Sequence, residues 1–154
     1  MEFTFDVFKK TRGFFKAYIE ELSLAQLNAI PEGFNNNVIW NIGHCIVTEQ
    51  ILVYKLSGLP LNISEELVNK YVKGTVPDGK ASQAEVDTLN ELAFSTIEQT
   101  KADFGSKVFS SFNEYTLSTT GNTLTNVSQA IEFALFHEGL HVGYIMALLR
   151  ALKI

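Results

Sequence analysis

The sequence predicts an all-α fold, a four-helix bundle, on three observations. Four segments repeat apolar residues at three- and four-residue steps. Helix-capping residues and helix stops fall at the edges of those segments. The 3 prolines and 10 glycines lie mostly between them, so little interrupts the helices themselves.

The first segment runs from about Phe3 to Ala29, with Phe8, Phe15, Ile19, Leu22 and Gln26 in register, and Pro31 with Gly33 ends it. The second follows Asn35-Asn36-Asn37, a run of capping residues, and extends from Val38 to Ser57 before Gly58 and Pro60. The third opens on Ser82-Gln83-Ala84-Glu85, which reads as a capping box. Leu89, Leu92, Phe94 and Ile97 carry it to about Phe104. The fourth starts near Thr125-Asn126 and runs to Lys153, apolar on nearly every side, and so is expected at the centre of the molecule. The Phe pairs read as core, and Lys9-Lys10-Thr11-Arg12 as a solvated face of the first helix.

Two connections are long. GLPLNISEELVNKYVKGTVPDGKA joins helices two and three and carries a short helix after Ser64. A link of that length lets the two helices it joins run parallel. GSKVFSSFNEYTLSTTGNTL joins helices three and four, with a candidate hairpin around Gly121-Asn122. No repeat or linker divides the chain, so residues 1–154 read as a single domain.

Composition excludes several function classes. Lys and Arg total 12 against 17 Asp and Glu, for a net charge of −5, and no basic run exceeds Lys9-Lys10. Nucleic acid is therefore not expected as a partner. The longest apolar stretches are broken by His, Glu or Arg, which argues against a membrane span. MEFTFDVFKK carries Glu2 and Asp6 where a secretory signal would be basic and then apolar. With one cysteine, Cys45, no internal disulfide can form, and the expected location is the cytoplasm.

Chemistry concentrates in the 3 histidines. His137 and His141, in FHEGLHVGYI, are four apart on a helix and project from one face. Two imidazoles so placed can share one cation at roughly 2.0–2.1 Å each. His44, mid-way along helix two in VIWNIGHCIVTEQI, is the remaining imidazole. Three His from two helices form a candidate metal site with an open coordination position. Zinc, nickel, iron and cobalt all accept imidazole, so one divalent ion is expected without its identity. Trp40, Thr48 and Tyr144 are candidate pocket or supporting residues, one turn from a ligand. Cys45, about 100° round the helix from His44, reads as a buried inert thiol.

His137-Glu138-Gly139-Leu140-His141 is also a literal H-E-x-x-H, the zinc-protease motif. The rest of that motif is missing. VGYIMALLRALKI after His141 contains no Asp, Glu or His, and Tyr144 and Ala147 stand where the extended form needs Gly and His. The chain is therefore not read as a protease. Nor is it a di-iron bundle, since the E-x-x-H of Glu138 and His141 has no second copy. Glu138 remains a candidate base, or a hydrogen-bond partner to a ligand imidazole.

These residues resemble the DinB/YfiT-like superfamily of small metal-binding four-helix bundles. The carrying features are W-x-x-x-H from Trp40 to His44, H-x-x-x-H from His137 to His141, and G-Y-I-M-A-L from Gly143 to Leu148. The fragments LSGLP and KGTVP also resemble a subgroup of that superfamily. The resemblance covers the whole chain. It implies an up-down-down-up bundle, often homodimeric, binding one divalent metal through His44, His137 and His141. Characterised relatives include bacillithiol S-transferases, mycothiol-dependent isomerases, and glutathione-linked or ergothioneine-pathway domains. The expected function is accordingly a metal-dependent S-transferase of small molecules, using a low-molecular-weight thiol as cosubstrate. The alternatives are a hydrolase acting through metal-activated water and a non-catalytic, metal-stabilised binding module.

Overall fold

A computed structural model describes residues 1–154 and shows an all-α chain with one small hairpin. The helices are α1 (Glu2–Glu21), α2 (Leu24–Asn28), α3 (Val38–Gln50), α4 (Glu65–Tyr71), α5 (Gln83–Gly105) and α6 (Val127–Leu152). Strands β1 (Tyr115–Thr116) and β2 (Thr123–Leu124) pair antiparallel between α5 and α6. The four long helices form a ring of neighbours: α1 and α3 each pack against both α5 and α6. No helix is long and apolar enough to cross a membrane.

The first predicted segment divides in two. Leu22 leaves α1 in an extended conformation, and Ser23 starts α2 with a full capping box to Gln26. A strong local cap outcompeted the continuing apolar period. At the start of α5 half of the expected box forms. Ser82 accepts from the backbone of Glu85, but the Glu85 carboxylate accepts instead from Lys70 Nζ at 2.7 Å and Tyr71 Oη at 2.5 Å. That diversion fastens α4 to α5.

The most enclosed helix is α3, not α6 as its composition suggested. Every α3 residue except Thr48 is buried, because α2, α4, α5 and α6 all pack around it. In α6, Phe136, Leu140, Tyr144 and Met146 are all exposed, Phe136 and Leu140 by 49% each. The Phe pairs are also split, with Phe15 buried and Phe14 exposed. Adjacent helical positions differ by about 100°, so only one of a pair can face inward.

Beyond Gln50 the helix widens into a π-helical turn over Ile51–Lys55. Such insertions often occur at functional sites because they change the direction of the following side chains. Apolar packing forms two clusters. One gathers Phe15, Ile39, Ile46, Leu89 and Ile145 around α3, and the other gathers Phe5, Phe8, Val53, Ile97 and Ile131 near the π turn.

Arg12 is 0% exposed, so the Lys9–Arg12 run is only partly a solvated face. Lys9 and Lys10 reach surface carboxylates of Glu98 and Asp6, while Arg12 turns inward to Glu138.

Candidate metal centre

His44 on α3 meets His137 and His141 on α6 where the two helices pack together. One ring nitrogen from each lies within 4.8 Å of the others. Nε2 of His137 and Nε2 of His141 face each other at 3.2 Å. Two nitrogens bound tetrahedrally to one zinc-sized ion would stand about 3.4 Å apart, from the usual bond lengths. The pair therefore has the separation that a shared cation requires.

The surrounding hydrogen bonds decide which nitrogens are bare. His44 Nδ1 lies 2.8 Å from the carbonyl oxygen of Tyr71, which can only accept, so Nδ1 carries the proton. Its Nε2 is then an unprotonated donor to a metal. Asn41 Nδ2 donates to Asn36 Oδ1 and to the Asn37 carbonyl, which fixes the orientation of the amide. Its Oδ1 is left to accept from His141 Nδ1 at 2.7 Å. His141 Nε2 is consequently bare as well. A ligand imidazole that donates its other N–H to a carbonyl or amide oxygen is the usual arrangement around bound metals. His137 differs, since its Nδ1 is buried without a partner.

Electrostatics favour neutral rings. Burial lowers the pKa of all three. His137 falls to about 3, with His141 and His44 adding to the shift, and His141 falls to about 4, with His44 adding. For His44 the direction is the same, opposed by its bond to Tyr71. Rings held neutral at physiological pH are ready to coordinate.

Several residues outside the sequence reading build this geometry. Gly43 lets Tyr71 lie against α3: a Cβ there would stand 2.5 Å from Tyr71 Cδ1 and 2.7 Å from Cγ. The close approach brings the Tyr71 carbonyl to His44. A glycine inside a helix costs about 1 kcal/mol relative to Ala, so its presence in IGH was a readable sign of a packing demand. Asn41, three residues before His44, had no comparable signal.

The candidate supporting residues separate. Trp40 stacks on His44, with ring centroids 4.7 Å apart and planes 7° from parallel, and its Nε1 donates to Thr75 Oγ1. The Thr48 hydroxyl lies 3.4 Å from His44 Nε2. A cavity of about 290 Å³ opens against Thr48, His44 and His137. Tyr144 does not line it and packs edge-on against Phe34 instead. Cys45 is fully buried, and burial pushes its thiol pKa up, so it is unreactive.

Glu138 requires a correction. It is 0% exposed and does not line the cavity. Its Oε1 accepts from Arg12 Nε at 2.6 Å and lies 2.5 Å from Arg12 Nη2. Arg12 also donates to the Ala93 carbonyl, so the pair joins α1, α5 and α6. Burial raises the Glu138 pKa, and the guanidinium pulls it back. With Arg12 always charged, the ion pair is the state that leaves no buried charge uncompensated. One residue of helical rotation carries Glu138 away from the face of His137 and into the core.

The comparisons agree with this geometry. No curated protein matches the chain. The sequence profile of the DinB superfamily matches residues 8–145, a span that includes all three histidines, the whole of α3 and α6 as far as Ile145. A match over that much of the sequence settles the family: the chain belongs to the DinB superfamily.

Proposed function

We propose that this protein is a metal-dependent enzyme of the S-transferase type, acting on a small molecule with a low-molecular-weight thiol as cosubstrate. One divalent ion would be held by His44, His137 and His141. The observation that carries this reading is the convergence of three imidazoles, two with Nε2 left bare by their hydrogen bonds, beside a cavity of about 290 Å³ that His44 and His137 line. When bound, a divalent cation supplies the positive charge that lowers the pKa of a thiol at the open position.

The chain's own groups do the rest. Trp40 and the Tyr71 carbonyl hold His44 in place, and Asn41 orients His141. Thr48 presents a hydroxyl beside His44 for a hydrogen bond to the reacting group. Leu52, Leu56, Leu117 and Phe133 give the cavity an apolar wall. In the transfer, the thiol proton leaves to solvent and sulfur forms a bond to the acceptor carbon. The leaving group departs with its electron pair.

One observation favours this over hydrolysis. No Asp or Glu lines the cavity, so no carboxylate stands ready to take a proton from water. A thiol that ionises readily has less need of such a base.

The reading includes an up-down-down-up bundle, consistent with the ring of helix neighbours and the long links. It also includes a homodimer, supported by the exposed Phe136, Leu140 and Tyr144 at four-residue steps along α6. The test is a panel of small thiols with an electrophilic acceptor, followed by mass spectrometry of products. Thioether formation that requires both thiol and metal is expected. Turnover indifferent to thiol would overturn the transferase assignment.

A further inference from the structure

The cavity beside the histidines has basic but no acidic side chains in its wall. The chain carries 17 acidic residues against 12 basic ones. Yet the cavity wall contains Lys55 and Lys73 and no acidic side chain. Lys9, Lys10, Arg12, Lys16, Lys70 and Lys101 each pair with a carboxylate. Lys55 and Lys73 pair with none, and neither do Lys80, Lys107, Arg150 and Lys153, but of these six only Lys55 and Lys73 line the cavity. Lys70, three residues from Lys73, is taken up by Glu85, so carboxylates are within reach of this segment but do not neutralise the cavity.

Both lysines have fixed origins. Lys55 ends the π-helical turn, whose Ile51 and Leu52 also line the cavity. Lys73 follows Tyr71 by two residues, and the Tyr71 carbonyl is bonded to His44. Its position is therefore tied to the histidine cluster through a short piece of backbone. Lys73 Nζ donates to Ser118 Oγ at 2.5 Å, across to the loop between β1 and β2. That loop supplies Leu117, Ser118 and Thr119 to the same wall. Both lysines are exposed as well as cavity-lining, so they stand at its rim.

We infer that this cavity selects a small amphiphilic anion, with a carboxylate or phosphate held by Lys55 and Lys73 and an apolar body against Leu52, Leu117 and Phe133. Two cations without a compensating carboxylate, bordering a concave and partly apolar space, favour an anion more than lysines on a flat, open surface would. The Ser118 and Thr119 hydroxyls are further hydrogen-bond donors on the same wall. The anionic end fixes the ligand at the rim. Its other end is directed to the histidines, a step that rests on the proposed metal-dependent activity.

Hexanoate, hexyl phosphate and hexanol separate the possibilities, because they share an apolar chain and differ in the head group. Affinities are read from amide shifts in NMR titrations of the purified protein, with metal content measured on the same samples. At least one anion is expected to bind roughly tenfold tighter than hexanol, the scale of a charge-assisted hydrogen bond. The shifts should fall on residues 51–56, 72–73 and 117–119. The stronger of the two anions identifies the head group. Lys55→Ala and Lys73→Ala together should remove the preference while hexanol affinity and metal content hold, and Lys73→Arg should retain most of it. Equal binding of all three probes, or a preference that survives the double substitution, would overturn the inference. A sample without metal that still prefers the anion in a lysine-dependent way would support the inference while removing the metal reading.

Discussion

His44 donates its Nδ1 proton to the carbonyl of Tyr71 at 2.8 Å, and the Tyr71 ring lies over Gly43, the residue before His44 in α3. One contact thereby sets both the tautomer of the imidazole and the distance between α3 and α4. Gly43→Ala would force the ring away, because the new methyl would meet the middle of an aromatic ring rather than a flexible tip. The expected cost is about 1–3 kcal/mol, typical of overpacking. Metal affinity should fall by roughly 10–100-fold, the usual effect of losing a ligand's hydrogen-bond partner. Urea unfolding and a competitive chelator titration measure the two effects. Unchanged affinity in a destabilised variant would separate Tyr71 from the site.

The Arg12–Glu138 pair yields a stability prediction that distinguishes it from catalysis. Arg12→Leu should destabilise by about 3–5 kcal/mol, since it strands a carboxylate that is fully buried. Adding Glu138→Leu should recover much of that loss. Denaturant unfolding of the two single variants and the double variant checks this. A catalytic base would behave differently: its substitution would leave stability unchanged and abolish turnover.

The histidines predict a pH dependence of folding in chelator. In the unfolded chain they take up protons as pH falls through about 6.5. In the folded chain His137 waits until about 3 and His141 until about 4. Between those limits the unfolded state binds more protons, so their contribution to stability falls as pH falls. Glu49 and Glu138, whose pKa values are raised by burial, act with the opposite sign. Comparison with His137→Gln removes their share, because both proteins contain them. From pH 7.5 to 5 the wild type should lose more stability than the variant. Parallel pH profiles would contradict the assigned burial of His137.

How much was legible in the sequence follows from the physics of each feature. His137 and His141 were visible because four-residue spacing on a helix guarantees a common face. His44 was found by elimination, as the remaining imidazole, and the structure brings all three together. The hairpin around Gly121-Asn122 forms, with Gly121 in a positive-φ conformation that glycine adopts freely. Glu138 was misplaced because the H-E-x-x-H spacing says where residues lie on a helix but not what packs against each face. Arg12 was misplaced for a related reason: its partner is 126 residues away, and a basic run looks solvated until that partner is known. Tyr71 acts through its backbone carbonyl, which carries no residue-type signal. The two cavity lysines come from segments joined only by the fold.

The proposed chemistry requires three histidines holding one ion. Metal analysis of protein purified without a histidine tag, beside His44→Ala prepared in the same way, measures this. About one divalent ion per chain in the wild type, and its loss in a variant that remains folded, is the predicted result. A folded wild type without stoichiometric metal, or a His44→Ala protein that keeps its metal, would contradict it.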